Sequence, residues 1–196
     1  MPQTAILLLA AGASTRMRGS DKLLVDVDAQ PLLTRMCRRA ALTGLPVFVT
    51  LPSLAHPRAA VICDATPVAV PDAAEGMAAS IRQGVAALTA STDAVMILPA
   101  DMPEITTQDM MLLAARQDEL QGQVLRACAE DGTPGHPVLF PRRCFEALQA
   151  LTGDRGARSV LAGEDVRKIP LPGRHAVIDL DTPEAWAKWR KNGAPP

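Results

Sequence analysis

Residues 5–10, Ala5-Ile6-Leu7-Leu8-Leu9-Ala10, form a short run with no polar position, and Gly12 follows closely. Such a run predicts a strand covered on both faces, as in a parallel sheet between helix layers. Residues 46–51 and 94–98 read as strands of the same kind, and 68–70 as a weaker one. Between them the apolar period changes. Leu32, Leu33, Met36, Cys37, Ala40 and Ala41 share one helical face over residues 31–43, with Arg35, Arg38 and Arg39 opposite. Gly44 is placed to end that helix, and Pro46 follows it. Met77, Ile81, Val85 and Leu88 recur at three- and four-residue spacing and predict a second helix.

The second half continues the alternation. A helix starts near Thr106, which forms a capping-box pattern with Asp109. Residues 123–129 and 138–140 read as strands around a polar loop over 130–137. Helical stretches follow near 142–151 and 157–163, with short strands over 166–169 and 176–180. Thr182-Pro183-Glu184 opens a last helix with proline at its first position. Strands alternating with helices predict an α/β fold, a three-layer and mostly parallel sheet with helices on both faces. Neither a linker nor a repeat interrupts the pattern. One domain over residues 1–192 is expected, with a frayed tail at 193–196.

Composition narrows the function. The net charge is −1, from 20 Lys+Arg and 21 Asp+Glu among 196 residues, which is no footprint for non-specific nucleic-acid binding. Aromatic residues make up 3%, leaving few platforms on which single-stranded bases would stack. No apolar run approaches membrane-spanning length, and Met1-Pro2-Gln3 shows no basic segment ahead of its apolar run. A cytoplasmic location is expected. Cys37, Cys63, Cys128 and Cys144 lack any CxxC pairing and read as reduced, packed thiols. Charge is unevenly placed: residues 1–60 carry +4 and residues 61–120 carry −7. That arrangement suits a phosphate-bearing, metal-bound ligand lying between the two segments.

The chemistry-bearing stretch follows the first strand: Ala10-Ala11-Gly12-Ala13-Ser14-Thr15-Arg16-Met17-Arg18-Gly19-Ser20-Asp21-Lys22. Open α/β sheets bind ligands beyond the carboxyl ends of their strands. Small residues there let backbone N–H groups approach phosphate oxygens, while Arg16 and Lys22 neutralise their charge. GxGxxG is absent. The GxxxxGK[ST] spacing fails as well, since Lys22 lies ten residues after Gly12 and precedes Leu23.

Ala10-Ala11-Gly12-x-Ser-x-Arg16-Met17 followed by Lys22 resembles the signature of sugar-nucleotide-type nucleotidyltransferases. More narrowly it resembles the molybdenum-cofactor branch, the molybdopterin cytidylyl- and guanylyltransferases. Five further stretches fall in that family's order: Glu75-Gly76-Met77-Ala78-Ala79-Ser80, Pro99-Ala100-Asp101-Met102-Pro103, Gly135-His136-Pro137, Gly153-Asp154-Arg155-Gly156-Ala157-Arg158 and Asp179-Leu180-Asp181-Thr182-Pro183. The resemblance covers nearly the whole chain. It implies a Rossmann-like nucleotide-diphospho-sugar transferase (GT-A-like) fold and a Mg²⁺-dependent enzyme, in which an acceptor phosphate attacks the α-phosphorus of a nucleoside triphosphate.

By that resemblance Arg16 and Lys22 are catalytic, and Ala10, Ala11 and Gly12 contact the base through backbone groups. Ser80 and Asp101 join the nucleotide site, while His136, Asp154 and Arg158, with Arg155, hold the acceptor. Asp101 holds the metal with Asp179 or Asp181, which would share one face of a strand over 176–180. Asp179 is the slightly favoured partner, because Asp181 directly precedes Thr182-Pro183 and equally suits the positive helix end. Simpler readings stand beside these: solvated charge for Arg16 and Lys22, a turn or cap for Asp101, an exposed helix position for Ser80.

The cytidylyl branch resembles Ala10-Ala11-Gly12, whereas the guanylyl branch usually has two glycines here. The four residues between Met17 and Lys22 are closer to guanylyl spacing. CTP as donor and molybdopterin as acceptor are expected, with a molybdenum hydroxylase as the possible recipient of the product. The alternatives are GTP, another phosphorylated acceptor (a methylerythritol, sugar or phospho-lactate phosphate), or a non-catalytic molybdopterin carrier. A glycosyltransferase of the related fold would usually pair aspartates as Asp-x-Asp, and Met102-Pro103 follows Asp101 here.

Overall fold

The computed structural model describes residues 3–119, 122–154 and 156–191. Arg155 and the expected tail at 193–196 lie outside the described residues. In chain order the elements are β1 (Thr4–Leu9), β2 (Asp26–Val27), β3 (Gln30–Pro31), α1 (Leu32–Ala41), β4 (Val47–Leu51), β5 (Thr66–Ala69), α2 (Met77–Ala86), β6 (Ala94–Pro99) and α3 (Thr107–Glu119). Then come β7 (Val124–Cys128), β8 (Pro134–Pro141), α4 (Phe145–Gln149), α5 (Arg158–Ala162), β9 (Val166–Pro170) and α6 (Pro183–Lys191).

Seven strands form one sheet in the order β5-β4-β1-β6-β8-β7-β9. Only β8 runs against the rest: it is antiparallel to both β6 and β7, while the other pairings are parallel. The apolar run of β1 is buried on both faces, as its composition requires. Ile6 and Leu8 pack into a core with Leu33 and Met36 of α1, Met110 and Leu113 of α3, and Trp186 and Trp189 of α6. Ala5 and Leu7 point the other way, toward Ile81 and Val85 of α2, Phe140 of β8 and Leu148 of α4. Three layers result. β4 and β6 flank β1 on opposite sides, so the chain reverses its strand order beside β1 and opens a crevice at the carboxyl edge.

The capping box is present. The Thr106 N–H donates to Asp109 Oδ2 at 2.9 Å, and the Asp109 N–H donates to Thr106 Oγ1 at 3.1 Å. Two expectations fail. The polar loop over 130–137 is shorter than its composition suggests, because β8 already begins at Pro134. And residues 176–180 form no strand. His175–Val177 is a single 3-10 turn, and the Leu180 N–H donates to the Asp101 carbonyl at 3.0 Å rather than to a ladder. Alternating apolar positions there bury Ala176 and Leu180 under the sheet edge, a result the same period produces without pairing. The two-residue ribbon of β2 and β3, turned through Asp28 and Ala29 at positive φ, also went unread.

Gly135 makes this crossing possible, since a Cβ there would lie 1.8 Å from the Ala176 carbonyl oxygen. No helix among the described residues is long and apolar enough to cross a membrane. Gly135→Ala is expected to lower unfolding stability by about 3 kcal/mol in urea denaturation, as a backbone atom must be displaced. Gly12→Ala, with nothing within 4 Å of its added carbon, should stay within about 0.5 kcal/mol of the parent.

Candidate active site

The loop after β1 is shaped by a residue from another element. Arg58 lies in the 3-10 stretch Pro57–Val61 after β4 and is only 1% exposed. Its NH1 donates to the carbonyls of Ala10 (2.5 Å) and Gly12 (2.8 Å), and its NH2 to Ser14 Oγ at 2.9 Å. Nε and NH2 grip Asp21 as a fork, at 2.7 and 2.8 Å. One buried guanidinium thus closes both ends of the loop. Met17, buried in the core, pins its middle. Ser14 and Arg18 take left-handed φ of 51° and 52° in consequence. Burial raises the Asp21 carboxyl, but the hydrogen bonds and charge of Arg58 and the Leu23 N–H outweigh it and hold it below 3.8.

That shape delivers Lys22 to the carboxyl edge of the sheet. Lys22 Nζ donates to Asp101, just past β6, and to Asp181 Oδ1 at 2.5 Å. Asp181 Oδ2 also accepts from Arg16 NH1 at 2.6 Å. Burial works against the charged lysine. The charge and hydrogen bonds of Asp101 and Asp181 prevail, and Lys22 titrates above its ordinary range. Asp181 is likewise desolvated, yet Lys22 and Arg16 hold it low. Asp179 makes no such contact. Partial desolvation and the charges of Asp181 and Asp101 raise its carboxyl. The period-two argument for a shared Asp179–Asp181 face therefore falls with the strand itself, and Asp181 is the carboxylate that meets both cations.

Most of the expected nucleotide residues line one cavity of 460 Å³: Ala10, Gly12, Arg16, Lys22, Ser80 and Asp101. Ser80 is buried there, not an exposed helix position. Ala11 instead lines an adjoining 440 Å³ cavity beside Arg58, its methyl packed with Val70 and Ala79. His136, Asp154 and Arg158 line a third cavity of 590 Å³. Asp154 and Met77 border both this cavity and the first, so the two are neighbours. Their boundary is tight because Gly76, at φ 116°, lets α2 approach Asp154; a Cβ there would come within 2.9 Å of the Asp154 Cα.

Sequence reasoning missed Arg58 and Arg126. Nothing periodic marks Arg58, which follows Pro57 in irregular chain. Arg126 did carry a signal: it is the one charged position between Val124-Leu125 and Ala127-Cys128 in a strand otherwise buried.

This crevice has counterparts. The family model described as the MobA-like NTP transferase domain matches residues 6–169. The chain belongs to that family. This MobA-like protein is accordingly a nucleotidyltransferase. It is 26% identical over 190 residues to a probable molybdenum cofactor guanylyltransferase of Nostoc sp., covering 94% of this chain and 89% of that protein. Among solved structures, Rv0371c of Mycobacterium tuberculosis H37Rv superposes with a TM-score of 0.84 at 23% identity, covering 97% and 98% of the two chains. The manganese complex of Rv0371c gives 0.79 at 22% identity, covering 95% and 97%. Both structures show the same fold, with its mostly parallel seven-strand sheet.

Arg58→Met, which keeps length but removes the fork, should destabilise the MobA-like domain by roughly 3–5 kcal/mol in urea, because Asp21 and two carbonyls lose their donor. Asp21 in the parent has a depressed pKa, so its contribution is whole above the unfolded value of 3.8 and is lost as pH falls through the lower folded value. In Arg58→Met that part of the acid-induced loss should shrink.

Proposed function

We propose that this chain transfers a nucleotidyl group from CTP to the phosphate of molybdopterin, releasing pyrophosphate. The observation that carries this reading is the Lys22–Asp101–Asp181–Arg16 cluster, three of whose members line the phosphate-loop cavity that neighbours a second, cationic one. An acceptor phosphate is already ionised, so the reaction needs no Ser, Cys or His nucleophile. One of its oxygens bonds to the α-phosphorus as the bond to the β-phosphoryl oxygen breaks. The protein's task is positioning and neutralisation of charge that builds on the leaving pyrophosphate. Lys22 lies closest to that task, and Arg16, 71% exposed, can swing from Asp181 to the triphosphate.

A divalent cation suits the donor set. Asp101 Oδ1 is buried with no hydrogen-bond partner, the condition of a carboxylate oxygen awaiting a hard cation. Asp101 and Asp181 would hold Mg²⁺, with Asp179 beside them, and the ion would add positive charge against the triphosphate. Among the described residues no three His, Cys, Asp or Glu form a ready cage. That agrees with an ion completed by substrate phosphates, which is the habit of Mg²⁺. The mycobacterial structure with manganese supports a divalent requirement.

The donor base rests on Ala11. Ala10-Ala11-Gly12 resembles the cytidylyl branch, where the guanylyl branch usually has two glycines, and the Ala11 methyl is held in place against Val70 and Ala79. GTP is the second reading, favoured by the name of the Nostoc relative. The product would equip a molybdenum hydroxylase, and the supply of nucleoside triphosphate supports action in the cytoplasm.

A thermal-shift panel of CTP, GTP, ATP and UTP, each with and without Mg²⁺, separates the readings. A nucleotide at 100 times its Kd should add about 2.7 kcal/mol, and CTP with Mg²⁺ is expected to give the largest shift. A larger shift with GTP overturns the pyrimidine reading alone. Lys22→Ala and Asp101→Asn should each cut pyrophosphate release with molybdopterin by about 10²–10³-fold while leaving the folded state intact. Undiminished release in either variant overturns the assignment of the site.

A further inference from the structure

The 590 Å³ cavity holds two guanidinium groups and a single carboxylate, Asp154, so positive charge is in excess. Arg126 rises from the middle of β7 and Arg158 opens α5, and neither forms a salt bridge among the described residues. Arg126 Nε donates to the Gly135 carbonyl at 3.0 Å. This anchors the guanidinium at Nε, and its terminal nitrogens have no partner among the described residues. Ile81, Ile97 and Phe140 supply apolar walls beside the half-buried Arg126, while Arg158 is exposed. Burial and the charge of Arg158 both disfavour the charged state of Arg126. A half-buried guanidinium with a second one beside it is costly unless an anion completes the pair.

We propose that Arg126 and Arg158 together seat a phosphate monoester of the acceptor, which makes Arg126 a specificity-determining residue of the transfer reaction. The proposal rests on the nucleotidyl-transfer reading and gives its acceptor a chemical class. A planar fork held at Nε presents two parallel N–H groups, the geometry that pairs with two phosphate oxygens. Asp154 borders both this cavity and the one that Lys22 lines. His136 lines the same cavity with Nδ1 buried and unpartnered, which offers a neutral hydrogen-bonding group to the organic part of the acceptor.

The test is steady-state kinetics of Arg126→Ala, Arg126→Lys and Arg158→Ala with molybdopterin and the nucleotide that gives the largest thermal shift. Each alanine variant should raise the acceptor KM about 30-fold, as expected for hydrogen bonds to a charged group, with kcat within about threefold. Arg126→Lys should fall between, since lysine keeps the charge and loses the fork. A nucleotide-induced rise in Tm equal to the parent's shows that the variants are folded. Acceptor KM within about twofold of the parent in both alanine variants overturns the proposal. If the parent binds nucleotide yet releases no pyrophosphate with molybdopterin, the transfer reading fails on its own. Equilibrium dialysis of 4-nitrophenyl phosphate then decides the arginine pair: binding lost in Arg126→Ala supports it, and equal binding or none to the parent overturns it.

Discussion

A single buried guanidinium sets the geometry on which the rest of the site depends. Loops rich in small residues have many conformations, and the segment from Ala10 to Asp21 would lose its shape without a cross-brace. Arg58 supplies that brace from a different strand's end, joining two carbonyls at the loop's start to a carboxylate at its finish. The brace is stable because every buried donor on it is matched and its charge is balanced by Asp21. Left-handed backbone at Ser14 and Arg18 is tolerated for the same reason: the surroundings over-determine it. The consequence is positional. Lys22 directly follows the braced Asp21, so its ammonium reaches Asp101 with little freedom left to lose on binding a ligand.

Electrostatics at the crevice follow from that placement. The basic first segment and the acidic middle of the chain meet here, Lys22 against Asp101, with Asp181 joining from the far end of the sequence. Such a cluster is internally neutralised, which lets four charged groups stand close together without a ligand. On the proposed reading a triphosphate competes with the carboxylates for Lys22 and Arg16, and a divalent ion would relieve that competition by taking the carboxylates. Nucleotide and metal are therefore coupled through the same side chains, and each should strengthen the binding of the other.

Legibility in the sequence followed the range of the interactions. Continuous apolar runs disclosed β1, β4 and β6, and local chemistry disclosed the Thr106–Asp109 box and Pro183 at the start of α6, because each signal lies within a few residues. The cluster of Arg16, Lys22 and Asp101 was legible only through the order of its motifs. Residues 176–180 misled because period-two alternation reports one buried and one exposed side, and a segment crossing a sheet edge, with Ala176 and Leu180 buried and Asp179 exposed, has these without pairing. Arg58 was illegible for a deeper reason. Its partners are backbone carbonyls and one carboxylate brought together by the parallel pairing of β1 with β4, and no residue type near position 58 announces that.

The reversed strand divides the crevice into halves built on different principles. On the side of β1, β4 and β6, strands are parallel, and the site joins a loop braced by Arg58 to the charged side chains of Arg16, Lys22 and Asp101. There a substitution of a charged side chain strikes the shared chemistry itself, and one at Arg58 the loop's path. On the side of β7 and β8, facing groups are side chains projecting from the sheet itself: Arg126, His136 and Val138. There each substitution directly alters shape and charge while leaving the strand pairing intact. On the proposed reading a nucleotide, whose phosphates are common to many reactions, is met by the less mutable half, and the acceptor by the more mutable one. Acceptor choice can change by exchanging residues on β7, β8 and α5 without disturbing the brace that positions Lys22. This division of labour allows one fold to carry one chemistry to different phosphorylated acceptors, and it locates the basis of that choice on the antiparallel side of the sheet.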